Sequence, residues 1–189
     1  MRVYLAGPDV FLPDPHARAA AMKAICISHG LTGVSPLDDL ADVPEAWSKL
    51  HEPFRIARRN EVHIASCAAL VANLTPFRGP SADVGTVFEL GFMRALNRPV
   101  YGWTNDAADF AARTHSFLGV EAKTDHEGML IEDFAALADN LMIDGAISAS
   151  GGTLIRDPNC TPAERWISLD AFKTCLSELV RRSGNPTHD

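Results

Sequence analysis

Residues Ala68 to Leu74 read Ala-Ala-Leu-Val-Ala-Asn-Leu, apolar almost throughout. A half-exposed strand alternates apolar and polar residues. A strand without that alternation needs cover on both faces, which is the situation of a central strand in a parallel sheet. The neighbouring sequence supplies such cover. Arg2 to Ala6 is a run of β formers that ends at Gly7-Pro8, and Pro15 to His29 is rich in helix formers and stops at Gly30. Leu31 to Ser35 reads as a second strand, ended by Pro36. Pro53 opens a helix that runs to about Cys67, and Thr86 to Asn97 is a further helix. Pro99 to Trp103 is predicted as a strand and Asp106 to Arg113 as a short helix. Glu132 to Met142 is predicted as a helix, Ala146 to Ser150 as a last strand, Thr161 to Arg182 as a terminal helix, and Ser183 to Asp189 as a frayed tail. Strand and helix in alternation predict an α/β protein, a parallel sheet with helices on both faces.

Composition narrows the partners. The 189 residues are 47% hydrophobic and 22% charged, the profile of one globular domain. No apolar stretch approaches the roughly 18 residues of a membrane span, and the amino terminus reads straight into a strand rather than as a signal peptide. The net charge is −7 with Lys and Arg scattered, so no basic face is offered to a nucleic-acid polymer. Cys26, Cys67, Cys160 and Cys175 form no C-x-x-C pair and the seven histidines lie far apart, so the expectation is free thiols in a reducing cytoplasm and no metal.

In open α/β sheets ligands bind beyond the carboxyl ends of the strands, where the strand order reverses. That selects the loops after the first three strands. None carries a G-x-G-x-x-G or a G-x-x-x-x-G-K-[ST], and Pro8 removes an N–H that a pyrophosphate would use. The third loop instead ends in Asp83-Val84-Gly85-Thr86-Val87-Phe88-Glu89-Leu90-Gly91. Glu89, Phe92, Met93 and Leu96 recur at helical spacing and form one stripe, so a glutamate lies in the first turns on the face that meets the sheet. Burying an ionised carboxylate is costly without compensation, which the positive end of a helix dipole can supply. A nucleophile there is one reading. The other is a capping box, Thr86-x-x-Glu89, with the glutamate reaching back to the Thr86 N–H and Asp83 acting as a loop or capping aspartate.

Tyr4-Leu5-Ala6-Gly7-Pro8, Ala69 to Leu74, Thr75-Pro76-Phe77-Arg78-Gly79 and Asp83-Val84-Gly85-Thr86 with Glu89 and Gly91 resemble the nucleoside 2-deoxyribosyltransferases. The resemblance implies a flavodoxin-like, doubly wound, mainly parallel five-stranded sheet over residues 1–150; residues 151–189, where the likeness is weak, read as a helical extension of the same domain. It implies Glu89 as nucleophile, Asp83 as the group that binds the sugar hydroxyls, and Tyr4 as the hydroxyl that holds the nucleophile. Gly7, Asn60, Phe77, Gly85 and Thr86 would line the substrate site, with Asn60 directed at the base. Asn140 and Met142 would be lent by a neighbouring subunit of a homo-oligomer. Two departures stand out: Cys67 where relatives commonly carry an aspartate, and the long stretch after Ser150.

The activity so implied is transfer of a 2-deoxyribosyl group between nucleobases through a glutamyl ester, with a nucleoside and a nucleobase as partners and no cofactor. Phe11, Phe77 and Met142 would line a dry base pocket, although ordinary packing explains both phenylalanines equally well. Arg55, Arg58 and Arg59 read as a solvated helix face, His63 as a packing residue, and Trp47, Trp103 and Trp166 as core or interface anchors. Two rivals remain open: an N-glycosidase that uses water as acceptor, and a silent nucleoside-binding domain in which Glu89 merely caps its helix.

Overall fold

The computed structural model describes residues 1–184. Five strands, β1 (Arg2–Ala6), β2 (Thr32–Val34), β3 (Ala69–Asn73), β4 (Val100–Thr104) and β5 (Leu154–Arg156), form one sheet in the order β2-β1-β3-β4-β5, every pair parallel. This is the flavodoxin-like order, whose switch point lies between β1 and β3. The residues of β3 and β4 are buried throughout, as the unbroken apolar runs require.

Among the described residues there are six α-helices, α1 (Pro15–Ser28), α2 (Glu52–Ala65), α3 (Val84–Ala95), α4 (Phe110–Leu118), α5 (Leu141–Ala149) and α6 (Asp170–Gly184), and all but α4 pack on the sheet. The strands' alternation sorts the core into two layers. Val3, Leu5, Ala69, Val71, Tyr101 and Trp103 point toward α1 and α6, where they meet Met22, Cys26, Phe172, Cys175, Leu176 and Leu179. Tyr4, Ala6, Leu70, Ala72 and Val100 point toward α2, α3 and α5, where they meet Ile64, Leu90, Met93, Ile143 and Ile147. Gly102 lets α5 approach closely, since a Cβ there would lie 2.7 Å from Leu74 Cδ1 and 3.0 Å from Ile147 Cδ1.

Local signals explain most helix starts. Asp14 accepts a hydrogen bond from the Ala17 N–H at 3.0 Å with Pro15 in the first turn, and α1 ends before Gly30 at φ 72°. Asn140 starts α5 by accepting from the Met142 N–H at 3.0 Å.

The last third departs from the sequence expectation. Glu132 to Met142 is not a helix, because Asn140 caps a helix that begins only at Leu141. Ala146 to Ser150 lies at the end of that helix, and the fifth strand falls at Leu154–Arg156, inside the stretch after Ser150. Thr161 to Ser168 forms successive turns, so the terminal helix starts at Asp170. It includes Ser183 and Gly184, which the sequence assigned to a frayed tail; the rest of that tail lies outside the described residues. All four cysteines are free thiols. Among the described residues no helix is long and apolar enough to cross a membrane.

Candidate active site

The site lies at the carboxyl edge of the sheet on the α2–α3 side of the switch point. Tyr4, fully buried in β1, donates from its hydroxyl to Glu89 Oε1 at 2.6 Å, across 85 residues of sequence. Asn60, in the third turn of α2, directs Nδ2 toward the same oxygen at 3.5 Å. Its Oδ1 is buried with no hydrogen-bond partner among the described residues. Asp83 precedes the first turn of α3 and caps it, Oδ2 accepting from the Thr86 N–H at 2.9 Å and the Thr86 hydroxyl at 3.1 Å.

These bonds overturn the capping-box reading. The cap of α3 is Asp83, and Thr86 lies inside the helix with its N–H committed to it. Glu89 reaches the Tyr4 phenol instead. Burial pushes its carboxyl up to about 7. The hydrogen bond from Tyr4 and the weaker one from Asn60 oppose this shift, whereas the nearby Asp83 charge adds to it. Burial, then the Glu89 charge, raises the Tyr4 hydroxyl above its ordinary range, so the phenol keeps its proton as donor.

The loop after β1 is built for close approach. A Cβ on Gly7 would lie 2.7 Å from both Asn73 Cβ and Asp9 Oδ2, so a side chain there would displace the neighbouring loop. Asp9 pairs with Arg18 at 2.8 Å and accepts from Asn73 Nδ2 at 2.8 Å, which ties the first loop to the end of β3. The loop after β3 is fastened in turn by Asp139. This fully buried carboxylate accepts from the Ser81 hydroxyl and, at 2.8 Å in both cases, from the N–H groups of Ala82 and Asn140, with Arg113 Nη2 3.8 Å away. Neither Asn73 nor Asp139 is expected at the site from sequence, and Asp9 is legible there only as an acid in the loop after the first strand. The signal for Asp139 was an acid directly before a helix-capping asparagine.

Of the residues expected at the site, Tyr4 and Asn60 bond Glu89 directly, and Asp83, bonded to Thr86, lies near enough for its charge to act on that carboxylate. Gly85 lies exposed in the first turn of α3. Phe77 packs elsewhere on the same edge, stacked on Phe11. Asn140 is engaged within its own chain by Glu132 at 2.7 Å, and Met142 is 70% exposed. Arg59 is no solvated residue: its Nη2 donates to the Pro36 carbonyl at 2.9 Å and its Nε is buried without a partner among the described residues. With Trp47, Arg55 and Ile56 it lines a cavity of about 510 Å³ beside the loop after β2. His63 is the packing residue expected, donating to the Asp38 carbonyl at 2.9 Å.

Fold and site together define a flavodoxin-like α/β protein whose switch point holds a phenol-bound glutamate behind an aspartate-capped helix. The nucleoside 2-deoxyribosyltransferase family profile matches residues 3–142, and the chain belongs to that family. The uncharacterized protein C191.05c of Schizosaccharomyces pombe is 29% identical over 196 residues, covering 95% of this chain and 89% of that protein. The structure of a 2-desoxiribosyltransferase from Leishmania mexicana is similar with a TM-score of 0.64 at 25% identity, over 95% of this chain and 97% of that one. A conserved protein from Enterococcus faecalis V583 shares the fold with a TM-score of 0.59 at 19% identity, over 96% and 98% of the two chains. Family and fold support deoxyribosyltransferase or related N-glycosidase activity.

Proposed function

We propose that the protein transfers a 2-deoxyribosyl group between nucleobases by double displacement at Glu89. The observation that carries this reading is the Tyr4 hydroxyl bonded to Glu89 Oε1, which orients one carboxylate oxygen at the ligand-binding edge of the sheet. In the ionised form that carboxylate attacks C1′ of a 2-deoxynucleoside. The C1′–N bond breaks, its electron pair passes to the departing base, which takes up a proton from water, and a deoxyribosyl ester forms on Glu89. An incoming base attacks C1′ from the vacated face and gives up its N–H proton to water, the C1′–O bond to Glu89 breaks, and the anomeric configuration is retained. A 2-deoxy sugar has no electron-withdrawing 2-hydroxyl beside the cationic carbon, so one carboxylate suffices. The α3 cap uses Asp83 Oδ2, while Oδ1 has no partner among the described residues and is available to a sugar hydroxyl. Asn60, bonded to the nucleophile through Nδ2, keeps a buried Oδ1 that no described residue uses, an acceptor for the N–H edge of a base.

The same reading includes a homo-oligomer in which Asn140 and Met142 complete a neighbour's site. Its support is an exposed apolar strip on the α3–α5 layer: Val84, Phe88, Leu141 and Met142 all present apolar surface. The test supplies deoxyinosine with free adenine and follows products by chromatography. Deoxyadenosine is the expected product. Free deoxyribose alone makes the protein a hydrolase with water as acceptor, and no turnover defeats the catalytic reading.

A further inference from the structure

The loops after β1 and β3 flank a second opening at the same edge of the sheet, a cleft of about 370 Å³ walled by Phe11, Phe77, Arg78, Arg165 and Trp166. Its lining shares no residue with the cluster of Tyr4, Asn60, Asp83 and Glu89. Phe11 and Phe77 stack nearly parallel with centroids 5.3 Å apart, and Trp166 meets Phe77 edge-on at 6.0 Å. The Arg78 guanidinium lies 4.5 Å from the Phe77 centroid and 5.1 Å from that of Phe11. Among the described residues no carboxylate lines the cleft. Arg165 gives Nη2 to Asp106 at 3.1 Å, while its Nε is buried with no partner among the described residues. A buried donor is costly to leave unmade, so this one gains from a ligand that brings an acceptor.

The wall is pre-formed by a closed ring of hydrogen bonds. Asp9, in the loop after β1, pairs with Arg18 and accepts from Asn73, whose Oδ1 accepts from the Thr75 N–H at 3.0 Å. The Thr75 hydroxyl accepts from the Asn105 N–H at 3.1 Å, and Asn105 Nδ2 donates to the carbonyls of Arg165 at 2.8 Å and Ser168 at 3.1 Å. Arg18 closes the ring by donating to the Ile167 carbonyl at 2.8 Å. Asn73, Thr75 and Asn105 are buried. The ring fixes Arg165 and Trp166 against the loops that carry Phe11 and Phe77, so a ligand meets a surface that needs little ordering. Both residues lie outside the stretch that matches the family profile.

Three aromatic rings favour a flat body. A guanidinium is a fixed fork of N–H donors with no acceptor, and a carboxylate matches it by taking two of them side by side. The Arg78 cation stands against the rings themselves, so the anionic group must be attached directly to the flat body. A nucleotide fits less well, because a sugar sets its phosphate off from its base. The volume lies at the small end for a ligand pocket and suits one or two fused rings. We propose that the cleft is a second binding site, independent of Glu89, for a small planar aromatic carboxylate, with Arg78 and Arg165 holding the carboxylate and Phe11, Phe77 and Trp166 the ring.

The test measures binding of quinoline-2-carboxylate by titration calorimetry. Beside it stand quinoline-2-carboxamide, which has the shape without the charge, and acetate, which has the charge without the ring. The acid is expected to bind at least about tenfold more tightly than the amide, and acetate not to saturate. Arg78→Met, at an exposed position, removes most of the preference for the acid, and Arg165→Met does the same. Trp166→Leu weakens acid and amide alike. Equal affinity for acid and amide, or a preference unmoved by Arg78→Met, overturns the proposal. Independence is read with saturating deoxyinosine on Glu89→Gln, which is expected to leave the affinity for the acid unchanged; displacement of the acid overturns a separate site. If no nucleoside is turned over, the reading of Glu89 falls while the acid-to-amide ratio still decides the cleft.

Discussion

Tyr4 and Glu89 form the shortest link between the sheet and α3 at the site, a phenol on the face of β1 that meets α2 and α3, aimed at a carboxylate in the second turn of a helix. The bond requires strand register and helix placement to agree to within a few tenths of an ångström. It also makes the behaviour of the carboxylate depend on a residue 85 positions away.

Removal of the nucleophile is the most direct consequence. Glu89→Gln keeps the shape and can still accept from Tyr4, yet lowers turnover by at least about 10³-fold. Mass spectrometry of rapidly quenched wild type shows a deoxyribosyl adduct on the peptide that contains residue 89, and the variant shows none.

Only the ionised carboxylate attacks, and burial pushes Glu89 up to about 7, so kcat/KM rises with pH through an acid limb near 7. The Tyr4 hydrogen bond favours the ionised form. Tyr4→Phe therefore moves the limb to higher pH and lowers kcat, which a pH–rate profile separates from a purely structural loss.

The same shift acts on stability. Glu89 binds its proton more tightly in the folded chain than its ordinary value of 4.5, so the unfolded state releases it first as pH rises. Its contribution is complete below about pH 4.5 and is lost between there and about pH 7, a change of about 3 kcal/mol. Glu89→Gln has no such proton to lose. Denaturant melts of the two proteins should diverge in the variant's favour from pH 5 to pH 8; parallel curves would remove the argument.

Asp83 serves the α3 cap and, in the proposed mechanism, the sugar, and two substitutions separate these roles. Asp83→Asn keeps an acceptor for the Thr86 N–H, so stability is held while activity falls. Asp83→Ala loses both, with a stability cost of about 1 kcal/mol in chemical denaturation.

Asp139 binds the loop before Asp83 to the cap of α5 from a fully buried position. Burial raises its carboxyl, against the hydrogen bonds and Arg113. Asp139→Ala leaves the N–H of Ala82 and the Arg113 guanidinium without their acceptor, and costs about 3–5 kcal/mol by calorimetry or denaturant melt.

The first hundred residues were legible because their elements announce themselves locally. Ala68 to Leu74 has the unbroken apolar run of a central strand, Asp14-Pro15 and Gly30 bracket α1, and each of the first two strands ends at Gly or Pro. Glu89 was legible as an acid on an apolar helical stripe, but its partner was not, since no local pattern reports a bond across 85 residues. T-x-x-E misled at Thr86 because Asp83, three residues earlier, already caps α3. The same pattern is realised at Thr161-Pro162-Ala163-Glu164, where Glu164 accepts from the Thr161 N–H at 3.1 Å and its hydroxyl at 2.6 Å without starting a regular helix. The strand β5 was missed because it is a half-buried edge of three residues, too short to show a period. The helix α5 was displaced because Asn140 caps the amino end of Leu141–Ala149 and does not close a helix over residues 132–142.

Phe172, Cys175, Leu176 and Leu179 of α6 are sealed against Trp103, and Trp166 stands a few residues upstream of them. A ligand that binds only the closed fold would resist any opening that peels the last helix from the sheet. Amide exchange along β4 and α6 would then slow on ligand binding, so an event at the mouth of the molecule would be recorded in its deepest interior.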